Sequence, residues 1–391
     1  MKEGWIYKKL GEVCEVLNGY AFKSSLYVDK GIRVIRITNV QKGFVSDNDP
    51  KYYPYDKEKY IQQYILKEND LLISLTGNVG RVGLLNKEFL PAALNQRVAC
   101  LRIKDSNFLL KFLFHKLNSD AFENDCIINA SGIAQKNMST EWLKRVVIPI
   151  PSLSEQLQIV SELDLLSDLI KKQKAQIEEL DKFVKSTFFD MFGDPVVNEK
   201  GWEIKKVGDE CTDMKYGTSR PACENGRYKY LRMGNISIDG HLDLSDLKTI
   251  DIPEDEIEKC IVRYGDILFN RTNSHDLIGK TCMFDLNEEM IIAGYLIRVR
   301  LSNKLLPQYF TTMFNLPSFK KLLRSIAKGA VNQANINSKE LASINIPLPP
   351  LALQQEFAAK VEAIEQMKAK VRQSLKESEE LFNSRMDYYF N

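Results

Sequence analysis

The 391-residue sequence contains a tandem repeat, and this repeat restricts the possible folds more than any other feature. The block GWIYKKLGEVC at Gly4–Cys14 returns as GWEIKKVGDEC at Gly201–Cys211, an offset of 197 residues. Four further blocks return in the same order at offsets of 196 to 198 residues: VIRITNV and YLRMGNI, ENDLLISLTGNVGRVG and YGDILFNRTNSHDLIGK, ASGIAQKN and AKGAVNQAN, VIPIPSLSEQ and NIPLPPLALQQ. Five blocks at nearly constant spacing predict two copies of one structural unit of almost two hundred residues.

Each copy begins with a globular module. Short runs rich in Val, Ile and Leu and bounded by Gly, Asn or Asp predict strands, for example DLLISL, VACLRI, ILFN and LIRVRL. A short helix is predicted around Phe108–Phe122 in the first module and around Pro307–Ile326 in the second. The modules are therefore mixed α and β, and the chain as a whole is expected to be α+β.

Each module is followed by a Pro-x-Pro hinge and a long helix. In the first copy, Ser152 and Glu155 have the spacing of a capping box, and Gly193 and Pro195 provide the stop. The forty residues between span about 60 Å at 1.5 Å per residue. The second helix is predicted from Leu351 to Tyr389, with a weaker cap because Ala352 and Leu353 stand where the first copy has Ser154 and Glu155.

Both helices carry an apolar stripe with coiled-coil spacing, so each needs a partner. The stripe residues are Ile159, Leu163, Leu166, Ile170, Ile177, Leu180 and Val184 in the first helix, and Val361, Ile364, Val371, Leu375 and Phe382 in the second. Gln173, Lys368 and Ser378 are polar departures that lower stability but help to fix the register. We predict an antiparallel coiled coil with an approximate two-fold axis, because a parallel pair would crowd both modules at one end.

Four segments follow from this plan. Residues 1–150 and 194–348 form the two modules, residues 151–193 form the central long helix, and residues 349–391 form the distal one. Charge divides along the same lines: residues 1–150 carry 22 Lys and Arg against 16 Asp and Glu, whereas residues 151–200 carry 6 against 10. The basic excess of the first module permits nucleic-acid binding without requiring it.

Composition argues against several classes of protein. No apolar run is long enough for a membrane span, and MKEGWIYKKLGEV does not look like a signal peptide. The seven scattered cysteines and three histidines show no metal-ligand spacing, so we expect buried reduced thiols, no metal and a cytoplasmic protein.

The plan of two modules, each with a hinge and a long helix, resembles the specificity subunit of type I restriction-modification enzymes over the whole chain. The most specific parts are IPIPSLSEQLQIV and IPLPPLALQQEF, preceded by ASGIAQKN and AKGAVNQAN. The resemblance implies two target-recognition domains, each reading one half of a split double-stranded DNA target. It also implies that the helices dock two adenine-N6 methyltransferase subunits, which a restriction and translocase subunit can join.

The chain itself is not expected to be an enzyme. An N6-adenine methyltransferase needs a cofactor-binding glycine turn and an Asn/Asp-Pro-Pro-aromatic motif, and neither occurs, so no cofactor is expected. The nearest match to a nuclease site, Asp194 with Glu203 and Lys205, is not shared by the first copy, which has Ile6 and Lys8.

Candidate DNA contacts are the polar residues that follow a strand, because Arg, Lys, Asn and Gln read bases while hydroxyls and cations hold phosphates. A turn that hydrogen-bonds to itself is the alternative for each of them. The first module offers Ser74, Thr76, Asn78 and Arg81, and the second offers Asn270, Arg271, Thr272, Asn273, Ser274 and His275. Basic residues on predicted loops complete the set: Lys23, Lys42, Arg220 and Arg227.

For several other polar residues, a structural role is at least as well supported as contact with DNA. Arg36 and Arg232 lie in a repeated strand and are expected to form salt bridges, with Arg33 and Lys229 beside them. The segments before the hinges suit capping or packing at least as well as DNA contact; they contain Gln135, Lys136 and Asn137 in the first copy and Asn332, Gln333 and Asn335 in the second. The run Tyr52, Tyr53 and Tyr55 is expected to pack over a loop, and His115 is not expected to be a ligand.

The sequence leaves three functions open. The preferred one is a DNA-recognition subunit with an asymmetric split target, whose helices set the spacer between half-sites. Four residues inserted in the first helix would then add about 6 Å, or roughly two base pairs, and an unchanged spacer in methylation mapping would refute this. The alternatives are the recognition subunit of a methyltransferase–nuclease fusion system and a duplicated coiled-coil adaptor that binds only proteins.

Overall fold

The structure is a computed structural model that describes residues 4–105, 107–132, 136–330 and 333–391. The chain divides into two compact units, Met1–Gln173 with Ser374–Asn391, and Lys174–Gln373. Each unit therefore contains one module and parts of both long helices. No helix within the described residues combines the length and apolarity needed to cross a membrane.

The first module consists of short strands and helices in the following order: β1 (Ile6–Lys9), α1 (Leu10–Val13), β2 (Cys14–Asn18), β3 (Ile32–Ile35), β4 (Val40–Gln41), β5 (Phe44–Val45), β6 (Tyr52–Tyr53), α2 (Glu58–Ile61), β7 (Leu71–Ser74), β8 (Val82–Leu84), β9 (Ala92–Leu94), β10 (Val98–Ile103), α3 (Leu110–Leu117), α4 (Asp120–Asn129), α5 (Thr140–Arg145) and β11 (Val147–Ile150). The long helix α6 (Leu153–Phe192) follows.

The second module has a similar order, with several additional short strands: β12 (Glu203–Lys206), β13 (Cys211–Tyr216), β14 (Tyr228–Leu231), β15 (Lys248–Ile250), α7 (Glu254–Cys260), β16 (Ile261–Val262), β17 (Ile267–Asn270), β18 (Thr272–Asn273), β19 (Thr281–Met283), β20 (Met290–Ile292), β21 (Leu296–Leu301), α8 (Pro307–Asn315), α9 (Pro317–Ile326), β22 (Lys328–Ala330), β23 (Gln333–Asn335), α10 (Ser338–Ser343) and β24 (Asn345–Leu348). The second long helix is α11 (Leu351–Phe390).

The two modules share one topology, which confirms the α+β class and the repeat. A four-stranded sheet has the order β2-β10-β7-β8 in the first module and β13-β21-β17-β19 in the second. A second sheet joins β6-β3-β9, matched by β15-β14-β20-β16, with β3 parallel to β9 and β14 parallel to β20. Strands β7 and β17 are buried along their whole length, as the continuous apolar runs LLIS and ILFN predict.

The prediction of one short helix after the main sheet was wrong in both modules, because two helices are present. α3 ends before Ser119, whose hydroxyl accepts the backbone N–H of Phe122 and caps α4. In the second module Pro317 begins α9, directly after α8. Both breaks have ordinary signals, a serine N-cap and a first-turn proline.

The hinge holds each long helix to its module through an equivalent glutamine. Gln156 is fully buried: its side-chain oxygen accepts the N–H of Leu109 at 2.8 Å, and its amide nitrogen donates to the carbonyls of Asn107 and Pro151. Gln354 makes the same three bonds, accepting from Leu306 at 2.9 Å and donating to the carbonyls of Lys304 and Pro349. The matching bonds explain why both hinges carry a glutamine.

Both helix termini predicted for α6 are confirmed. The Ser152 N–H donates to Glu155 at 3.0 Å, and the Glu155 N–H donates back to the Ser152 hydroxyl at 3.3 Å, so the capping box is complete. At the other end Gly193 has a φ of 75°, the left-handed conformation that ends a helix.

The long helices pair antiparallel within each unit, as predicted. In the first unit Glu162 lies against Arg385 and Tyr389, while Gln173 donates to Ser374 at 2.9 Å. In the second unit Asp181 lies against Lys368, and the rings of Phe188 and Phe357 pack edge to face. As residue numbers increase along α6, the numbers of the contacting residues in α11 decrease. This order is possible only if the two helices are antiparallel.

The residues of the predicted stripe are buried or half-buried. Ile159, Leu163, Leu166 and Ile364 are buried; those half-buried are Ile170, Ile177, Leu180, Val184, Val361, Val371, Leu375 and Phe382. The polar departures Gln173, Lys368 and Ser378 are buried as well. The helix ends also enter the module cores, because Ile159 and Leu163 belong to the first core and Phe357 to the second.

The seven cysteines are free thiols, as predicted. Cys14, Cys100, Cys126, Cys260 and Cys282 are buried and Cys211 is half-buried, but Cys223 is exposed, so the prediction of burial was wrong at that position.

Candidate nucleic-acid interface

The loop after β7 is shaped by the hydroxyl of Ser74. This hydroxyl donates to the carbonyl of Asn78 and accepts the N–H of Arg81 at 3.1 Å. Ser74 is 1% exposed, and Thr76 is buried beside it, whereas Asn78 is exposed. The Arg81 guanidinium is half-buried and donates to the side-chain oxygen of Gln41 at 2.6 Å.

Asn270 plays the corresponding part after β17. It is fully buried; its amide nitrogen donates to the carbonyls of Thr272 and Tyr295, and its side-chain oxygen accepts from Asn273 at 2.8 Å. Arg271 is half-buried and stacks over the ring of Tyr216, with 4.8 Å between guanidinium carbon and ring centroid.

The outer part of this second loop differs in exposure from its base. Thr272 is buried, Ser274 is half-buried and His275 is exposed. The backbone N–H of Ser274 donates to the side-chain oxygen of Asn273 at 2.9 Å.

Backbone pairing brings the segment before each hinge against this loop. In the first module Thr76 bridges to Asn137, the two side chains meet at 3.2 Å, and the N–H of Gly77 donates to the carbonyl of Lys136. In the second module Thr272 pairs with Asn335 within the sheet β18-β23-β22. Two candidate sets that are about sixty residues apart in sequence thus form one surface in each module; Gln135 and Asn332 lie outside the described residues.

The loop cations have different surroundings. Lys23 and Arg227 are exposed, and Arg227 lies over the ring of Tyr228 at 5.1 Å. Lys42 forms ion pairs with Asp120 at 2.5 Å and Glu123 at 2.8 Å, and Arg220 pairs with Glu256 at 2.7 Å.

The expectation that Arg36 and Arg232 form salt bridges is confirmed. Arg36 pairs with Asp49 at 3.0 Å, and Arg232 pairs with Asp246 at 2.7 Å. The neighbouring Arg33 pairs with Asp47, and Lys229 pairs with Glu288.

Packing of the tyrosine run is confirmed for part of it. Tyr53 is buried against Phe22, whereas Tyr55 is 57% exposed. His115 is a core histidine that contacts Asp164 at 2.9 Å, and burial lowers the pKa of its ring more than Asp164 raises it.

An ion pair that the sequence analysis missed supports the central strands. Asp70 binds Arg102 at 2.7 Å in the first module, and Asp266 binds Arg300 at 2.9 Å in the second. Alignment of the repeats contained the signal, because ENDLLISL and YGDILFN place both aspartates at the same position.

A further group of charges lies in the second unit, beside a cavity of about 630 Å³ between its helix pair and module. Asp181, His241 and Glu365 hold ligand-type atoms within 4.8 Å of one another. The buried ammonium of Lys368 contacts Asp181 at 2.5 Å and Glu365 at 2.7 Å, so the chain supplies its own cation there. Burial would raise the pKa of Asp181, but hydrogen bonds from His241 and Lys368 outweigh it and hold the pKa at about 2.

The residues of the nuclease-like sequence match have partners close to them in sequence. The Glu203 carboxylate pairs with Lys205 at 2.5 Å, and Asp194 accepts the backbone N–H of Val196. Both aspartate and glutamate therefore have local structural roles.

Comparison with known families identifies the family of this chain. The model of the type I restriction modification DNA specificity domain matches the chain twice, at residues 2–179 and 199–378. The chain belongs to this family.

Curated members of this specificity family match the chain along most of its length. The specificity subunit of the type I restriction enzyme EcoKI from Escherichia coli (strain K12) is 25% identical over 387 residues, covering 93% of this chain and 82% of the relative. The EcoBI specificity subunit from Escherichia coli is 25% identical over 394 residues, covering 93% and 79%. The chain is thus a specificity subunit, a class that recognises DNA and is not catalytic.

Solved structures show the same fold. The S subunit of a type I restriction-modification system from M. genitalium aligns over 99% of this chain and 96% of its own, with a TM-score of 0.56 and 14% identity. A chain from a study of complex assembly and conformational transition of the type I R-M system aligns over 100% and 98%, with a TM-score of 0.57 and 19% identity.

Proposed function

We propose that this specificity subunit reads a split, asymmetric double-stranded DNA target, with one half-site for each module. The observation that carries this proposal is the surface formed in each module by a strand-end loop and the segment before the hinge. Loops of this kind, held by a buried framework, are where binding residues concentrate. The two modules would be the target-recognition domains, residues 1–150 and 194–348, and the long helices at 151–193 and 349–391 would connect them.

Within each surface, buried side chains and accessible ones have different parts. Ser74 and Asn270 use their polar atoms inside the loop and set its shape. Asn78 and Arg81 in the first module, with Ser274 and His275 in the second, remain the side chains available to bases and phosphates, whereas the Asn273 amide is bonded within the loop. Direct readout of this type needs such donors and acceptors at a groove.

The half-sites should differ because the two loops differ. Seven residues separate β7 from β8, whereas ten separate β17 from β19. The longer loop contains one arginine, one asparagine and one histidine, whereas the shorter one contains one arginine, one asparagine and two glycines. Different shape and chemistry on one scaffold predict different bases.

The outer faces of the long helices would dock two adenine-N6 methyltransferase subunits, and through them a restriction and translocase subunit. Large apolar side chains are exposed on α6 away from the stripe, with Leu157 at 54%, Leu165 at 71% and Leu169 at 42%. Exposed apolar side chains along one element are typical of protein-binding surfaces. We place the complex in the cytoplasm, where its DNA would be.

The experiment is co-expression with a candidate methyltransferase subunit, followed by sequencing of N6-methyladenine in the host genome. The proposal predicts one two-part motif with unequal halves. The absence of any chain-dependent motif would favour a protein-binding adaptor. A motif formed with a fused methyltransferase–nuclease partner would assign the chain to a fusion system.

A further inference from the structure

Helices α4 and α9 occupy the same place in the two modules but carry opposite charge. Each packs against a left-handed glycine of the candidate DNA loop: a side chain at Gly80 would meet Cys126 of α4, and one at Gly279 would meet Leu323 of α9. The charged residues of α4 are all acidic (Asp120, Glu123 and Asp125), and those of α9 are all basic (Lys320, Lys321 and Arg324). The helices that pack against the two candidate DNA loops therefore carry opposite charge.

In the first module the acidic helix neutralises a cation of the interface. Lys42, at the tip between β4 and β5, pairs with both Asp120 and Glu123. These two carboxylates already neutralise the charge of Lys42. The remaining negative charge of α4 would repel a phosphate.

In the second module the cations of α9 lack such partners. No carboxylate among the described residues forms an ion pair with Lys320, Lys321 or Arg324. The Lys320 ammonium donates to the carbonyl of Gly279 at 2.6 Å, and Arg324 donates to the carbonyl of Asp276 at 3.1 Å. The Nε of Arg324 is buried without an acceptor, and Lys321 is exposed.

Lys320 and Arg324 line a cavity of about 240 Å³ between α9 and the loop, and Lys321 lies outside its lining. Lys280, Lys320 and Arg324 contribute basic side chains to it, against the carboxylates of Asp239 and Asp276, and the buried Lys280 ammonium donates to the carbonyls of Met233 and Ile236. Burial, with the charges of Arg324 and Lys280, lowers the pKa of Lys320 to about 7. An anion at this position would satisfy the free N–H groups and restore the charge of the ammonium.

We propose that α9 binds DNA backbone phosphates through Lys320, Lys321 and Arg324, and that α4 makes no such contacts in the first module. The inference rests on the proposed function, because it takes DNA to be the ligand of the neighbouring loop. The second module then contributes more of the salt-dependent affinity than the first. Phosphate contacts position a protein without reading sequence, so the bases recognised are unaffected.

The test measures binding of the full-length chain to a mixed-sequence DNA duplex by fluorescence anisotropy, with KCl varied between about 50 and 200 mM. The variants K321Q and R324Q should each reduce the slope of log affinity against log salt by about 0.9, since each removes one phosphate contact. The control is K304Q, because Lys304 is an exposed cation at the other end of β21, about 20 Å along that strand from the loop. Its slope should equal that of the unmodified chain.

The outcomes separate the inference from the proposed function. Equal slopes for K321Q, R324Q and the unmodified chain would overturn the phosphate site while leaving DNA recognition intact. A loss of thermal stability in R324Q without a change of slope would mean that the arginine only anchors the loop, and would also overturn it. Failure of the unmodified chain to bind any duplex would instead contradict the proposed function.

Discussion

At the scale of single residues, buried amides fasten each long helix to its module. Gln156 and Gln354 each bond one backbone N–H and two backbone carbonyls. Loss of such an amide leaves buried polar groups without partners, which costs more than the bond itself contributes.

We therefore expect Q156A and Q354A each to lower the free energy of unfolding by about 1 to 3 kcal/mol. Urea denaturation measures this directly. Q158A and Q355A are matched controls because both side chains are exposed, and they should stay within about 0.5 kcal/mol of the unmodified chain. Equal losses in the variants and the controls would show that the hinge bonds are unimportant.

Asp181 makes stability depend on pH in a defined window. Its pKa is about 2 in the folded chain against an ordinary 3.8, so its contribution is complete above 3.8 and is lost as pH falls through about 2. The stability difference between the unmodified chain and D181N should therefore shrink from about pH 4 to about pH 2, measured by urea denaturation at each pH. A difference that stays constant over this range would mean that the carboxylate is not held ionised by Lys368 and His241.

Prediction from sequence succeeded at this scale where a residue type has one strong local role. The capping box at Ser152 and the left-handed Gly193 both follow from a few neighbouring residues. It failed for Lys42, whose partners Asp120 and Glu123 lie about eighty residues away. No local sequence pattern reveals ion pairs over that separation. The neutralisation of Lys42 could therefore be seen only in the folded structure.

At the scale of elements, the repeat and the strand patterns predicted the main sheets, and the apolar stripe predicted the helix pair. The boundary between α3 and α4 was missed because the apolar pattern continues across the Ser119 cap. The position of both candidate loops was predicted, but their pairing with the segments before the hinges was not. That pairing joins Thr76 to Asn137 and Thr272 to Asn335 across the module, beyond the reach of periodicity.

The outer face of α6 provides a prediction for this scale. L165D should weaken retention of the methyltransferase subunit in co-purification at least tenfold while leaving thermal stability unchanged, because Leu165 is 71% exposed. K171D is the matched control, since Lys171 is an exposed residue of the same helix that pairs only with Asp168. Unchanged retention in L165D, or equal loss in K171D, would remove this face from the docking surface.

At the scale of the whole molecule, duplication explains why this specificity subunit has a corresponding polar surface in each module. The two modules share their sheets, hinge glutamines and central Asp–Arg pairs, and they differ in loop length and in the charge of α4 and α9. A shared framework with divergent loops is the arrangement expected of two readers with different targets. The proposed account is that each module recognises its own half-site independently of the other.

Replacement of one module tests that account most directly. Residues 1–150 would be exchanged for the corresponding module of another specificity subunit, with both long helices and residues 194–348 retained. The methylated motif would then be mapped by sequencing N6-methyladenine in cells that also express the methyltransferase subunit. The account predicts that one half of the two-part motif changes and the other half stays the same. A motif that is unchanged, or that changes in both halves, would contradict it.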